Sequence, residues 1–484
     1  MLKNIWNSKL SIFVFVNILI VGFQIFIITF FYNQMNLEIP LWYTSNWGLD
    51  ILSNKQNIIL FPFLSALILI SSASIYSISQ GFYQQYFDRI VLYGSSFFNL
   101  FLTYSLVNII KKTTFSNLFF LDFVQSELLN SFFISTVLTA FLTPLMISYF
   151  KRKELVTDPK KHFHPGMILK YPSARGGGVI FAISFVTTSL LFVKLNLTTI
   201  AILVSSVLAA IIGLLDDISN TTSNKKFKIF GNPFFRLFIL LPIPILILIY
   251  SGISVQNIGN PFGDPLNLNF ISWTVLNKVI YPISLVFTFI WILWVINLLS
   301  WSNGVDGQYS GIIAISGIVI SLLSLRFINV TDMDINNAKL AIITAGAALG
   351  LLPYTWNPSK IMWGFGATSA GIILAALSIL SSTKISISIL VLLIPFMDAV
   401  ITILRRILNR QNPLKGDRGH LHHLLLNRGW SVKQIATFYW FSTIIMGTIA
   451  FFSSDKDLPL VILTCGGVIS FFIILLNLRI DIKK

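Results

Sequence analysis

Charged residues and cysteines are both scarce in this chain of 484 residues. Asp, Glu, Lys and Arg together make up 11% of the chain, whereas apolar residues make up 55%. A soluble protein needs a more highly charged surface, so this composition excludes an ordinary soluble domain. The single cysteine, Cys465, excludes an internal disulfide, and one thiol alone makes no metal site.

Acidic residues are the scarcer of the two charge types, with 18 Asp and Glu against 34 Lys and Arg. Seventeen of those 34 basic residues fall in three short loops, at 151–175, 216–233 and 405–433. Basic loops between apolar runs mark the cytoplasmic side of a membrane protein. We therefore attribute the net charge of +16 to membrane topology and expect no nucleic-acid partner.

Apolar runs of membrane-spanning length recur along the whole chain, and a transmembrane helix needs about 20 such residues. We predict an all-α polytopic membrane protein with about fourteen transmembrane helices, both termini being cytoplasmic. An N-terminal extension (1–128) would hold three of them and a membrane domain (129–484) the rest. The predicted spans are 10–31, 58–80, 89–110, 129–150, 176–194, 197–215, 234–251, 279–299, 308–328, 338–356, 361–380, 384–404, 435–452 and 459–477.

Two adjacent carboxylates, Asp216 and Asp217, end the apolar run that begins near Leu197. A charge inside hydrocarbon is costly, so we expect the pair to lie where water begins. The C-terminal end of a helix also disfavours negative charge. A hard divalent cation would relieve both penalties, which favours a metal site. The alternative is that the pair only ends a helix, and this stretch alone does not separate the two interpretations.

Three further polar loops lie on the same predicted face. The first carries Lys161 and His162, followed by Arg175 and three glycines whose backbone N–H groups could approach an anion closely. The second contains Asn297, Asn303 and Asp306, with sharp turns at Asn-Gly and Asp-Gly. Asp306 is a candidate third oxygen donor for a metal, or else an ordinary turn residue.

The third loop holds Arg418, His420, His422 and His423. All five histidines of the chain fall in two loops on this one face, which chance scatter does not explain. A zinc site is one interpretation, but imidazoles beside arginine and lysines suit polyanion binding better. Carboxylates for magnesium together with these basic groups favour phosphoryl transfer between a soluble nucleotide and a lipid phosphate.

At these residues the sequence resembles the polyprenyl-phosphate N-acetylhexosamine-1-phosphate transferase family, which also contains phospho-N-acetylmuramoyl-pentapeptide transferase. The resemblance runs from about Leu129 to the end of the chain. Asp216-Asp217 matches the family's Asp-Asp after an apolar helix. The Asp-Arg-x-His-Leu-His-His signature is met at 417–423 and is the most specific match. The Pro-x-Pro-Arg-x-Gly-Gly element is partly met at 172–178, and Pro395 through Asp398 and Arg405-Arg406 also match.

The chain departs from the family pattern at several acidic or amide positions. Ser300 and Asn303 stand where the family has Asn and Asp, and Asn220 replaces a third Asp after the pair. The usual Met-Gly-Asp-x-Gly-Ser stretch resembles Met362 through Ala367, but without the acid. These losses bear on the sugar specificity more than on the chemistry.

The resemblance implies transfer of an N-acetylhexosamine 1-phosphate from a UDP-sugar to undecaprenyl phosphate, giving UMP and a lipid-linked diphosphate sugar for surface glycan synthesis. It implies Mg²⁺, with Mn²⁺ as an alternative. We place Asp306 and one of the Asp pair, taken as Asp217, on the metal, and the other carboxylate of the pair near the lipid phosphate. The expected catalytic residues are Asp216, Asp217 and Asp306. The expected substrate-binding residues are Lys161, His162, Arg175, Asn297, Asn303, Arg418, His420, His422 and His423. We expect a multi-pass protein of the cytoplasmic membrane with its site facing the cytoplasm, and consider a homodimer.

Three other interpretations stay open. The first is the pentapeptide-specific enzyme of peptidoglycan synthesis, which we disfavour because the Asp-Arg-x-His-Leu-His-His form belongs to the simple-sugar branch. The second is a transporter or lipid flippase, although such proteins tend to place charges at mid-membrane and not at one surface. The third is a non-catalytic member of the family, raised by Asn303 and Asn220.

Overall fold

The computed structural model describes residues 8–32, 35, 37–42, 51–78, 87–114, 119–160, 171–221, 225–275, 278–326, 330–380, 384–412 and 418–481. The chain divides into two compact units, Met1–Phe123 and Val124–Lys484. The N-terminal extension was predicted to end at residue 128, and the boundary between the units falls inside a continuous helix that starts at Phe119.

The first unit packs three helices around an apolar core that also holds polar side chains. Its helices are α1 (Ser8–Phe31), α2 (Leu60–Ile78) and α3 (Phe87–Thr114), and a hairpin of β1 (Glu38–Trp42) and β2 (Ile51–Asn54) follows α1. The Gln24 amide donates to Ser65 Oγ at 2.9 Å and to Thr103 Oγ1 at 2.7 Å. Such hydrogen bonds hold helices together where apolar contact alone is unspecific.

The second unit is a larger helical assembly around one contiguous apolar core. Its helices are α4 (Phe119–Arg152), α5 (Gly177–Phe192), α6 (Leu197–Thr221), α7 (Pro233–Phe235), α8 (Pro242–Tyr250), α9 (Pro282–Trp301), α10 (Gln308–Ser324), α11 (Asp332–Thr355), α12 (Thr368–Leu380), α13 (Lys384–Val391), α14 (Leu393–Leu408), α15 (Leu421–Leu426), α16 (Val432–Phe452) and α17 (Leu458–Asp481). Its strands are β3 (Val156–Thr157), β4 (Ser173–Arg175), β5 (Asn257–Ile258), β6 (Leu266–Asn267), β7 (Trp273–Val275), β8 (Lys278–Ile280) and β9 (Ile361–Met362).

The helices confirm the predicted class, an all-α polytopic membrane protein. Among the described residues, eight helices are long and apolar enough to cross a membrane, and the pair α13–α14, bent by 85°, would be a ninth. Five shorter apolar helices accompany them. Each of the predicted spans coincides with one of these helices or with the bent pair.

Two helix ends differ from the prediction, both for local reasons. α11 starts six residues earlier than predicted, because Thr331 and Asp334 form a capping box at its start. α6 runs on to Thr221 instead of ending before the Asp pair, and the side chains of Asn220 and Thr221 bond back to the carbonyls of Asp216 and Asp217. The Asp pair therefore lies inside the helix, one turn before its end.

A small three-stranded sheet anchors the loops that surround the helix ends. β3 pairs with β4 in antiparallel register, and β4 pairs with β9 in parallel, with Arg175 opposite Met362. The turn after β9, a 3-10 segment at Gly364–Ala367, then packs into the angle between α5 and α6. This packing brings Arg175, the Asp pair and residues 362–367 together.

Glycines make this close approach of three backbones feasible. A Cβ on Gly178 would lie 2.2 Å from the carbonyl carbon of Gly366, and one on Gly213 would lie 2.3 Å from the nitrogen of Gly366. Both distances are far below van der Waals contact and involve backbone atoms. Any side chain at either position would push the 364–367 turn away from the Asp pair.

We predict that Gly213→Ala destabilises the second unit, because the added methyl meets backbone that does not yield easily. Overpacking of this kind costs about 1–3 kcal/mol. The apparent melting temperature in detergent, followed by fluorescence-detected size exclusion, should fall. The matched control is Gly467→Ala, whose Cβ has nothing within 4 Å and whose helix should tolerate it. Equal melting temperatures for the two variants would contradict the tight packing at Gly213.

Candidate active site

A cavity of about 890 Å³ opens beside the small sheet. Its wall comes from β4 and β9, the loop between α9 and α10, the turn after α11, and the start of α15. Six of the predicted site residues line it: Arg175, Asn303, Asp306, His420, His422 and His423. Aromatic side chains, including Trp301, Tyr309 and Trp363, complete its apolar part.

Asp306 is held in the cavity wall by a rigid set of donors. The Asn357 amide donates to its Oδ2 at 2.8 Å, and the backbone N–H of Ser359 donates to the same oxygen at 3.2 Å. The turn that carries Asp306 ends at Gly307, which has a φ of +79°. A backbone in that region favours glycine, so the Asp-Gly sequence fits its observed turn. The carboxylate is thus fixed at the cavity rather than free to swing.

Asp217 lies behind Arg175 and is almost completely buried. Arg175 Nη1 is 3.1 Å from Asp217 Oδ1, with side-chain exposures of 19% and 1%. The backbone N–H of Phe365 donates to the same oxygen at 3.3 Å. A Cβ on Gly364 would lie 1.9 Å from Asp217 Oδ2, so the turn rests directly on the carboxylate. Arg175, whose Nε also donates to Thr157 Oγ1, is thereby held at the cavity wall by Asp217.

Asp216 points to a different partner. It forms an ion pair with Arg236, whose guanidinium carbon lies 4.2 Å from the centre of the Phe365 ring. Adjacent residues on a helix point about 100° apart, and the two carboxylates accordingly meet different arginines. Both side chains are buried within the protein, so water does not solvate them directly. Arginines, not water, compensate their charge.

The predicted asparagines have unequal positions. The Asn303 amide lies 3.5 Å from the carbonyl oxygen of Gly364, which links the cavity wall to the turn over Asp217. The Asn297 amide instead donates to the Leu293 carbonyl of its own helix at 2.7 Å and does not line the cavity. Arg418 is exposed and also lies off the cavity wall. Lys161 and His162 lie outside the described residues.

The three histidines of the signature are all buried and stand in one array. His420 and His422 stack with parallel rings 5.7 Å apart, and the rings of His422 and His423 are 4.3 Å apart. Burial, together with the two neighbouring histidines, holds the pKa of His422 well below its ordinary value. His422 is therefore neutral at pH 7. Its ring packs against Gly304, where a Cβ would lie 2.2 Å from Nε2.

Asp217 and Asp306, the two predicted metal ligands, are carboxylates of the kind that a hard cation takes, and of the two only Asp306 lines the cavity. Asp217 Oδ2 is a buried carboxylate oxygen without a hydrogen-bond partner, and carboxylate oxygens are ligands that Mg²⁺ prefers. Within the described part of the chain, no three His, Cys, Asp or Glu side chains group at metal-binding spacing. Mg²⁺ usually binds through one or two carboxylates plus water and substrate phosphates, so two carboxylates meet its needs.

Sequence reasoning gave no role to several residues that shape the site, although Asp398 lies in a stretch that matches the family pattern. Arg236 and Asp398 are charged residues inside apolar stretches, and a charge in such a place is itself a functional signal. Asn357 and Ser359 gave no comparable signal, because they look like ordinary turn residues beside Pro358. Their role in fixing Asp306 depends on a contact across more than fifty residues.

Comparison with known proteins gives relatives of one kind. The phospho-N-acetylmuramoyl-pentapeptide-transferase of Staphylococcus saprophyticus is 26% identical over 332 residues, covering 65% of this chain and 96% of the relative. A probable undecaprenyl-phosphate N-acetylglucosaminyl 1-phosphate transferase of Bacillus subtilis is 26% identical over 325 residues, covering 65% and 81%. A decaprenyl-phosphate N-acetylglucosaminephosphotransferase of Mycolicibacterium smegmatis is 26% identical over 207 residues, covering 38% and 51%.

The family comparison agrees with these relatives and with the resemblance in the motifs. The sequence profile of glycosyl transferase family 4 matches residues 199–382, a stretch that includes the Asp pair, Asp306 and the turn at 362–367. Over this stretch, the chain is similar to the members of glycosyl transferase family 4.

Proposed function

We propose that this protein transfers an N-acetylhexosamine 1-phosphate from a UDP-sugar to a polyprenyl phosphate such as undecaprenyl phosphate. A lipid phosphate oxygen attacks the sugar-linked phosphorus, the phosphoanhydride bond to UMP breaks, and UMP leaves with the bonding electrons. The observation that carries the proposal is the cavity that gathers Arg175, Asp306 and three histidines beside the buried Asp pair. The relatives named above act on the same classes of acceptor or sugar phosphate, by their names.

Arg175 is the cavity's fixed positive charge. Its ion pair with Asp217 and its bond to Thr157 hold the guanidinium in place before substrate arrives. A preorganised cation stabilises charge that develops on phosphate oxygens more than a mobile one does. A phosphate monoester has its second pKa near about 6, so the lipid phosphate is already nucleophilic at pH 7. The reaction therefore needs positioning and charge stabilisation more than a strong base.

We propose that Asp217 and Asp306 would hold Mg²⁺, with Mn²⁺ as a substitute. When bound, the ion would neutralise charge on the diphosphate and orient it. Asp217 Oδ2, which has no hydrogen-bond partner, and the carboxylate of Asp306 are the oxygens available for it. The amide oxygen of Asn303, in the same wall, is a further neutral donor.

The remaining predicted residues are assigned to the nucleotide sugar. We propose that His420, His422 and His423 contact the diphosphate, and that Arg418, Lys161 and His162, which the sequence assigns to loops of the same membrane face, also bind the nucleotide sugar. A neutral imidazole such as His422 donates one hydrogen bond and adds no charge. The aromatic walls beside these groups would exclude water from the phosphates.

A second candidate is the pentapeptide-specific transferase, favoured by the relative from Staphylococcus saprophyticus. The two activities share the lipid acceptor and UMP release and differ in the sugar substituent. A panel of UDP-sugars, with and without the pentapeptide, separates them directly. A transporter is disfavoured because Arg175, Asp306 and the three histidines gather around one cavity.

We also propose that the site faces the cytoplasm, where UDP-sugars are made. The support is the concentration of Lys and Arg in the loops on this side. This orientation places the lipid phosphate at the inner leaflet of the cytoplasmic membrane.

We predict that Asp306→Ala and Asp217→Ala each lower turnover at least about 10²-fold, on the order of 2.7 kcal/mol in the barrier. Asp306→Ala removes a cation ligand at the diphosphate, and Asp217→Ala removes a ligand and also leaves the guanidinium of Arg175 without its ion-pair partner. UMP release from UDP-N-acetylglucosamine and undecaprenyl phosphate measures turnover, and Mn²⁺ binding followed by electron paramagnetic resonance measures the metal directly. Asp332→Ala is the matched control, since this acid is 75% exposed and lies off the cavity. If Asp306→Ala binds Mn²⁺ as the wild type does, Asp306 is not a ligand, and Asn303 becomes the candidate in its place.

We predict that cysteines introduced at Lys160 and Gln411 resist membrane-impermeant thiol reagents in intact cells, because both loops are cytoplasmic. A Cys465→Ala background removes the native thiol. Asp264→Cys, in an exposed loop on the opposite side of the predicted topology, is the control that should be labelled. If positions 160 and 411 are labelled but position 264 is not, the topology is the reverse of the one proposed. The site would then face away from the cytoplasm, where UDP-sugars are made.

We predict that the double variant His422→Ala with His423→Ala raises the UDP-sugar KM, or lowers kcat/KM, by well over tenfold. A hydrogen bond to a charged group contributes about 1.5–3 kcal/mol, and two such bonds are removed. The KM for the lipid phosphate, measured on the same preparation, should change much less and controls for folding. Zinc analysis of the purified protein tests the metal alternative. If the double variant loses bound zinc but keeps its UDP-sugar kinetics, His422 and His423 do not bind the diphosphate.

A further inference from the structure

Asp398 is a buried carboxylate that the reaction described above does not use. It lies near the start of α14, just after the 85° bend, and is 4% exposed. A buried charge is costly unless each of its oxygens has a partner. Asp398 Oδ1 accepts the backbone N–H of Leu421 at 2.8 Å, and Oδ2 lies 3.1 Å from His420 Nδ1. Both carboxylate oxygens therefore contact residues at the start of α15.

This geometry fixes the proton of one ring nitrogen. An ionised carboxylate only accepts hydrogen bonds, so Nδ1 of His420 must be the donor in this contact. Nε2 is then the ring nitrogen that remains for a ligand, and His420 lines the cavity. Thr402 Oγ1 stands 3.5 Å from the same Nδ1, at the limit of hydrogen bonding, and cannot replace the carboxylate.

His422 offers a contrast within the same array. Its Nδ1 is buried and has no hydrogen-bond partner, whereas His420 has a carboxylate at the equivalent atom. Among the described residues, Asp398 and Thr402 contact Nδ1 of His420, and the rings of Trp301 and His422 have their centres 6.1 Å and 5.7 Å from the His420 ring, while the Arg405 guanidinium packs against the neighbouring Gly419. Asp398 supplies the negative charge among them. A positive charge on the array is therefore best compensated on His420.

We propose that Asp398 is a positioning residue that holds His420 as an imidazolium when the diphosphate binds, with Nδ1–H donated to Asp398 and Nε2–H to a phosphate oxygen. The proposal rests on the proposed function for the identity of the anion. The ring would lie between two negative charges, the carboxylate behind it and the phosphate before it. Carboxylate–histidine pairs set the tautomer and stabilise the imidazolium in this way elsewhere.

The variant Asp398→Asn tests this arrangement with little change of shape. The amide oxygen can still accept the N–H of Leu421, which turns the amide NH₂ toward His420. That NH₂ donates to Nδ1, so the ring proton moves to Nε2 and the ring stays neutral. Nitrogen-15 NMR of histidine-labelled protein in lipid bilayers reports this state, because only five histidines contribute signals. His420→Gln assigns the resonances.

With UDP as the probe, wild-type His420 should show two protonated nitrogens, and Asp398→Asn should show protonation at Nε2 alone. The variant's kcat/KM for the UDP-sugar should fall about tenfold, equivalent to about 1.4 kcal/mol, while the lipid phosphate KM stays near the wild-type value. Thr402→Val is the control and should leave both the spectrum and the kinetics unchanged. A wild-type ring that stays neutral with UDP, or a spectrum that Asp398→Asn does not alter, would falsify the proposal.

These measurements distinguish the role of Asp398 from the proposed transfer reaction. If the spectrum with UDP is as expected but no sugar phosphate is transferred, the role of Asp398 stands and the proposed reaction is wrong. If transfer occurs but His420 is neutral with UDP bound, the reaction stands and Asp398 only caps α15. A loss of folding in Asp398→Asn shows as a change in all five histidine signals, and His420→Gln then supplies the kinetic test of the Nε2 contact.

Discussion

The buried ion pair between Arg175 and Asp217 is the interaction on which the site depends. Removing one partner of a buried pair costs about 3–5 kcal/mol, because the other charge is left uncompensated. The partners come from β4 and α6, more than forty residues apart in the chain. The pair can form only if the small sheet, α6 and the turn at 364–367 are all in place. The position of Arg175 in the cavity wall therefore depends on the packing of these elements in the second unit.

Close packing of backbone segments is the second requirement for this arrangement. Gly178, Gly213 and Gly366 let α5, α6 and the turn approach more closely than any side chain permits. The turn consequently rests on Asp217, and its Phe365 N–H donates to the carboxylate. The ion pair and the glycine contact support each other, since the ion pair requires the turn to be close and the glycines allow it.

The sequence predicts the helical class and several site residues, because both rest on local signals. Apolar runs of sufficient length show where the spans are, and Asp306 and the histidine loop stand out as polar groups between them. The partners Arg236, Asn357 and Asp398 were missed, since each acts through a contact that joins distant parts of the chain. The burial of the Asp pair was missed for the same reason. Nothing near Asp216 in the sequence shows that an arginine twenty residues later compensates it.

Gly364 gives a physical meaning to one departure from the family pattern. The family's stretch carries its acid at this position, where a Cβ would lie 1.9 Å from Asp217 Oδ2, and in this chain the next residue, Phe365, places the centre of its ring 4.2 Å from the guanidinium carbon of Arg236. Such a cation–π contact contributes about 0.5–2 kcal/mol, depending on exposure. Two carboxylates and two arginines already balance at this point, so an additional acid would leave a buried negative charge without a partner. Glycine at position 364 avoids that charge, and Phe365 packs against Arg236, the partner of Asp216, while its backbone N–H donates to Asp217.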